Sequence, residues 1–134
     1  MDSERLLAAA KRAADLAYAP YSHFRVGAAI LCDDGTVVTG CNVENRSFGL
    51  TICAERNAVA KALSEGKSKF DAIAVVCPDS DAPVPPCGAC RQVLSEFSDG
   101  SLLVVYQGSA SGPENARLDD LLPRDSLKDL KDRI

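Results

Sequence analysis

The sequence predicts an α/β fold: one domain, residues 1–134, of three α/β/α layers with a mostly parallel sheet between the helices. Three observations predict it. Apolar, β-rich runs alternate with stretches of helical spacing in the order helix, hairpin, helix, strand, helix, strand, and strands joined through helices run parallel with helices on their faces. No internal repeat and no linker interrupts the chain. The composition, 46% hydrophobic and 25% charged over 134 residues, is that of a globular domain able to bury a core. Tryptophan is absent, so that core is aliphatic and alanine-rich.

The elements follow in order. Ser3 to Ala19 has Leu6, Leu7, Ala10, Ala14 and Ala17 near helical spacing, with Asp2 or Ser3 to cap its start and Pro20 to stop it. "VGAAILC" (26–32), "DDG" (33–35) and "TVVTGCNV" (36–43) read as two strands about a tight turn. After a polar loop (44–50), Cys53 to Glu65 is helical and closes on Gly66. "FDAIAVVC" (70–77) is a buried strand, and "PDSDAPVPP" (78–86) is too proline-rich to be regular. "CGACRQVLSEF" (87–97) is a further helix ended by Gly100, and "SLLVVYQG" (101–108) a further strand. "LDDLLP" and "SLKDLKDRI" supply short helical ends.

Charge and termini narrow the function classes. The net charge is −4, with acidic and basic residues mixed, which disfavours nucleic acid as a partner because phosphate binding needs a basic face. "MDSERLLAAAKRAADLAYA" starts acidic and stays charged, so neither a signal peptide nor a membrane span is expected there. A cytoplasmic setting, with reduced thiols, is the expectation. The six cysteines are then core residues or metal ligands rather than three disulfides.

Their positions separate the two. Cys87 and Cys90 form a C-x-x-C at a helix start, the spacing of a chelating pair in zinc sites. A redox pair and a structural turn remain alternatives for this motif alone. Cys53 also opens a helix, and two converging helix starts bring three sulfurs around one ion. Helix N-termini favour thiolate over thiol, and thiolate is the form zinc takes. Arg56 is placed to hydrogen-bond the sulfurs and offset the charge of three thiolates on a divalent ion; a solvated helix charge is its other reading. Cys32, Cys41 and Cys77 lie in or at the ends of apolar strands and read as small buried hydrophobes. His23, the one histidine, reads as a surface or packing residue. Three protein ligands leave an open coordination position, the mark of a catalytic site. Such a site activates water, and Glu55, two residues past Cys53, is placed as its base.

Cys-Ala-Glu followed by Pro-Cys-x-x-Cys matches the zinc deaminase signature, in which the glutamate is the acid/base and not a ligand. The match runs on through "APYSHFRVGAAIL" (19–31), "GCNVENRSFGLTICAERNAV" (40–59), "SEG" (64–66), "PPCGACRQV" (85–93) and "LLP" (121–123). In order and spacing these resemble the small cytidine deaminases of pyrimidine salvage. The resemblance implies an α/β/α fold around a mixed five-stranded sheet, one Zn2+ per chain, and a homotetramer whose active sites are shared between neighbours. It implies that Cys53, Cys87 and Cys90 hold zinc and that Glu55 moves protons between water, the ring and the departing amino group of cytidine or 2′-deoxycytidine. Phe24 is implied to stack on the pyrimidine and Asn42 and Glu44 to bond the ribose hydroxyls; Asn45 and Phe48 are counted with them as substrate-binding. Two departures stand out. Phe48 occupies a place where many relatives carry tyrosine, and Ser126, with Leu127 after it, a place where relatives commonly carry phenylalanine. Arg46 is unusual near the sugar. Other readings are deamination of a related aminopyrimidine nucleoside or antibiotic, of a cytosine in RNA, or a structural zinc module. The last predicts a closed fourth ligand and tolerance of Glu55→Ala.

Overall fold

The computed structural model describes residues 2–110 and 112–131. Their elements are α1 (Ser3–Ala14), β1 (Gly27–Cys32), β2 (Val37–Cys41), a short 3-10 turn (Phe48–Leu50), α2 (Ala54–Ser64), β3 (Phe70–Val76), α3 (Gly88–Glu96), β4 (Leu103–Gln107), β5 (Glu114–Arg117), α4 (Leu118–Leu121) and α5 (Lys128–Lys131). Residues 132–134 of the expected C-terminal helical end lie outside the described residues.

One five-stranded sheet has the order β2-β1-β3-β4-β5. It is mixed, and the mostly parallel sheet expected from alternation is corrected: only β3 and β4 pair in parallel, while β1–β2, β1–β3 and β4–β5 are antiparallel. The reason is the place of β1. Strands β2, β3 and β4 do run the same way, each joined to the next through a helix, but β1 inserts between β2 and β3 and opposes both.

The sheet separates two apolar layers. On one face α1 sets Leu6, Leu7 and Ala10 against Ala29, Ala74, Val76 and Val105. On the other, α2 and α3 set Ala54, Ala58, Ala62 and Leu94 against Ala28, Ile30, Val38, Ile73, Val75 and Val104. The alternation of inward residues along β1 and β3 supplies both faces, as the pleat requires. This is the three-layer arrangement the sequence predicts.

Local signals fix the ends. Asp2 caps α1, its Oδ1 accepting from the Arg5 N–H at 2.9 Å. The helix stops at Ala14 rather than Ala19, because the chain leaves it to pair elsewhere: Tyr18 N–H donates to the Asn42 carbonyl at 3.0 Å, and Glu44 N–H to the Tyr18 carbonyl at 2.8 Å. At the end of α2, Gly66 takes φ 82°. Gly66 N–H and Lys67 N–H then reach back to the carbonyls of Leu63 and Ala62, a Schellman closure.

Register brings one end of the sheet to a line. Gly27 of β1 faces both Cys41 of β2 and Val76 of β3. The residues just beyond these three, 24–26, 42–44 and 77–79, therefore meet on one edge, which α2 and α3 also enter at their N-termini.

Candidate active site

Cysteines occupy the N-cap of both helices that point at this edge. Cys53 caps α2 and Cys87 caps α3, and neither side chain makes a capping hydrogen bond. Serine, threonine, aspartate or asparagine ordinarily satisfies that position. Here both sulfurs are turned toward each other, 3.9 Å apart. Cys90, one turn into α3 and fully buried, completes the group at 3.4 Å from the Cys87 sulfur. All three sulfurs lie within 4.8 Å of one another. Tetrahedral zinc with sulfur ligands at ~2.3 Å separates those ligands by about 3.8 Å, a spacing close to that of this trio.

The electrostatics favour a thiolate at Cys53. The Arg56 guanidinium donates through Nη2 to the Cys53 sulfur at 3.3 Å; of its two readings, the structure gives the sulfur partner. Its Nε is buried without a hydrogen-bond partner, leaving a positive group committed to the sulfurs. The Cys53 thiol is brought down to about 5, chiefly by the neighbouring Cys90 thiol and then by Arg56 acting against the cost of burial. Cys90 is driven up, first by the Cys53 sulfur and then by burial. Half-turns of unpaired N–H groups at both helix starts add to the attraction for negative charge.

Glu55 is 5% exposed. Burial pushes its carboxyl up to about 7, and the negative charge of Cys53 adds to the shift. A carboxyl poised near neutrality both accepts and donates protons under ordinary conditions. Gly40 and Asn57 hold the helix that carries it: Asn57 Nδ2 donates to the Cys41 carbonyl at 2.8 Å, tying α2 to the end of β2. On the α3 side, Arg91 donates to the Pro86 carbonyl at 2.7 Å and to the Leu121 carbonyl at 2.9 Å. The proline-rich loop before Cys87 is pinned by these two bonds.

Phe24, Asn42 and Glu44 belong to two segments, 21–26 and 42–44, that hydrogen bonds hold together at the same edge of the sheet. Phe24 is half-buried against the α2/α3 core face. Asn42, 8% exposed, accepts from the Val26 N–H at 2.9 Å and donates to the Phe24 carbonyl at 2.8 Å. Among the described residues, one N–H and one lone pair of its amide have no partner. Glu44 accepts from the N–H groups of Tyr21 and Ser22 and from the Ser22 hydroxyl, and the Ser22 contact leads in holding its carboxyl below the usual range. Asn45 is exposed; its Oδ1 accepts from the Ser47 N–H and its own N–H donates to Thr51 Oγ1. Phe48 is 73% exposed and meets Tyr21 edge-on, with centroids 6.0 Å apart. Arg46 and Ser126 are exposed. His23 is exposed and stands apart from the sulfurs. Cys32 and Cys77 are buried and Cys41 half-buried, outside the trio; burial pushes the Cys77 thiol up to about 12.

Sequence reasoning passed over the residues that hold these in place. Ser22 lies inside "APYSHFRVGAAIL", but a serine in a turn carries no signal of its own. Arg25 and Asp79, 54 positions apart, pair through both carboxylate oxygens: Arg25 N–H and Nε donate to Oδ2 at 2.8 and 2.9 Å, and Nη2 to Oδ1 at 2.9 Å. That clamp ties the Phe24 segment to the loop leading to Cys87.

Known proteins resemble the chain throughout. Residues 1–106 match the family model described as the cytidine and deoxycytidylate deaminase zinc-binding region. A cytidine deaminase of Sporosarcina psychrophila is 50% identical over 123 residues, covering 92% of this chain and 90% of that protein. The crystal structure of cytidine deaminase from Burkholderia pseudomallei superposes with a TM-score of 0.87 at 48% identity, covering 92% of this chain and 98% of that one. That from Mycobacterium tuberculosis gives 0.81 at 45%, covering 94% and 98%. The match spans both helix starts that carry the sulfurs and the buried glutamate beside them, and the chain belongs to the zinc-binding cytidine and deoxycytidylate deaminase family, whose members are hydrolytic deaminases.

Proposed function

We propose that the protein hydrolyses the 4-amino group of cytidine and 2′-deoxycytidine, releasing uridine or 2′-deoxyuridine and ammonia, with one zinc ion per chain held by Cys53, Cys87 and Cys90. The observation that carries this reading is a buried carboxyl, Glu55, set beside three convergent sulfurs at two helix N-termini. Zinc, when bound there, supplies the Lewis acidity that makes water nucleophilic near neutral pH.

Glu55 moves the protons. It takes one from the attacking water and delivers it to N3 of the ring, then takes the proton of the new C4 hydroxyl and passes it to the amino group as ammonia departs and the C4 carbonyl forms. Arg56 keeps the sulfurs anionic. Phe24 presents its ring to the pyrimidine, and Asn42 and Glu44 meet the sugar hydroxyls, with Asn45 and Phe48 at the rim. An acidic chain with its site built for a small ligand does not offer a track for nucleic acid.

The active form is a homotetramer with shared sites. Supporting this, Tyr18, Tyr21, Val43, Phe48, Leu50 and Ile52 are all 42% exposed or more on the segments that border the site, an apolar rim that a second copy would cover. The setting is cytoplasmic, in pyrimidine salvage; no helix among the described residues is long and apolar enough to cross a membrane, and reduced thiols suit a sulfur-held metal.

The test is spectrophotometric. The zinc-loaded protein is incubated with cytidine and with 2′-deoxycytidine, and the ultraviolet change to uridine is followed. Turnover of either supports the reading; a zinc-loaded protein inert to both overturns it. Sedimentation of the active protein as a concentration-independent monomer would contradict shared sites.

A further inference from the structure

The base-facing and sugar-facing residues come from two segments, 22–26 and 42–44, joined by backbone and amide hydrogen bonds and, at Glu44, by the Ser22 hydroxyl. Ser22 Oγ donates to Glu44 Oε2 and accepts from the Phe24 N–H at 3.0 Å. Glu44 Oε1 accepts from the Tyr21 N–H at 3.0 Å and the Ser22 N–H at 3.1 Å. The Phe24 carbonyl is taken by Asn42 Nδ2. The Phe24 backbone is thus held on its N–H side by Ser22 and on its carbonyl side by Asn42.

The backbone is bent to allow this. His23, between Ser22 and Phe24, takes φ 58°, the one positive φ outside glycine among the described residues. Such a conformation is unfavourable for a residue with a Cβ and persists where surrounding contacts over-determine it. Here it folds the Ser22 hydroxyl back beneath the Phe24 N–H.

An ionised carboxylate offers about four lone-pair sites. Three on Glu44 are filled by Tyr21, Ser22 and the Ser22 hydroxyl, so one is left, and its direction is fixed. We propose that Ser22 is a positioning residue for nucleoside binding, whose hydroxyl holds the free oxygen site of Glu44 and the ring of Phe24 in one fixed relation. Ser22 touches neither base nor sugar in this account; it acts through the other two. The inference rests on the roles proposed above for Glu44 and Phe24.

The test compares Ser22→Ala, Ser22→Thr, Glu44→Ala and the double variant Ser22→Ala/Glu44→Ala in the zinc-loaded protein, by kcat and KM for cytidine. Loss of a hydrogen bond to a charged group raises KM by roughly tenfold for Ser22→Ala, with kcat within about twofold. Ser22→Thr, which keeps the hydroxyl, returns KM toward the wild-type value. The double variant has a KM no higher than Glu44→Ala alone, because the two act as one unit. If Glu44→Ala raises KM while Ser22→Ala does not, the positioning role falls and the sugar contact stands. If Glu44→Ala leaves KM for cytidine unchanged, the sugar contact itself falls, and the role of Ser22 with it. A Ser22→Ala defect confined to lower kcat and lower melting temperature, unrelieved by Ser22→Thr, also overturns the proposal, since only a structural role behaves so.

Discussion

Gly40 of β2 is in backbone contact with Ala58 of α2: a methyl group added at Gly40 would stand 2.5 Å from the Ala58 nitrogen and 2.6 Å from the Ala54 carbonyl oxygen. No side chain intervenes that could yield. The helix bearing Glu55, with Cys53 at its cap, therefore rests directly on the sheet, and its height is set by the absence of a Cβ on one residue. Gly40→Ala is expected to lift α2, costing about 1–3 kcal/mol of stability as overpacking does. It should also reduce bound zinc, because Cys53 moves with the helix while Cys87 and Cys90 do not. Thermal unfolding and metal content measured on the same preparation check both effects.

Glu55→Gln keeps shape and burial but removes the proton carrier. Deamination of cytidine should fall by roughly 10²–10⁴ while zinc stays stoichiometric, since the carboxyl is not among the three grouped ligands. Elemental analysis beside the rate assay separates the two. Full activity with Gln at this position would remove Glu55 from the mechanism.

Arg56 acts on the metal through the Cys53 sulfur. Its replacement by glutamine leaves three thiolates without their compensating charge, and zinc affinity should weaken by about 10–100-fold, as for other partners that support metal ligands. Competition with a zinc-binding dye gives the affinity. At saturating zinc the rate should largely return. An affinity equal to wild type would make Arg56 a bystander.

The Arg25–Asp79 clamp gives a pH signature. Asp79 is held down to about 2, first by the hydrogen bonds from the Arg25 side chain and then by its backbone N–H. Its unfolded value is about 3.9, so the fold favours the ionised carboxyl. The stability this contributes is fully present above about pH 4 and disappears as pH falls toward 2. Asp79→Asn lacks it. Urea midpoints of wild type and variant should differ at neutral pH and converge between about pH 4 and pH 2. Both proteins are compared metal-free, so that loss of metal in acid does not enter the difference. A gap that does not change with pH would assign the effect to packing.

Much of this was legible from local pattern. The turn residues Asp33–Gly35, the helix-closing Gly66 and the cysteines at helix starts each announce themselves within a few positions, because capping and turn chemistry are local. The sheet order was not: nothing in "GAAILC" says that it lies between β2 and β3 rather than at an edge. Strand β5, "ENAR", is short, polar and largely exposed at the sheet margin, with no apolar alternation to mark it. Helical spacing over 3–19 runs past the end of α1 because Ala17 keeps the period; the competing bonds of Tyr18 to residues 42 and 44 are long-range. The same holds for the site. Cys53, Glu55 and the C-x-x-C are readable by spacing, whereas Asp79 in "PDSDAP" looks no different from Asp81 until the fold brings Arg25 to it.

At the far ends of the strands, the β1–β2 turn carries Gly35 at φ 88° with open space around it, and Lys67 pairs there with Asp34. Every group assigned to chemistry lies at the opposite edge, a strand length of about 20 Å away. The turn is thus where this scaffold can be lengthened: an affinity tag or a fluorescent reporter grafted between Asp33 and Thr36 would hang clear of the reaction and leave its geometry alone.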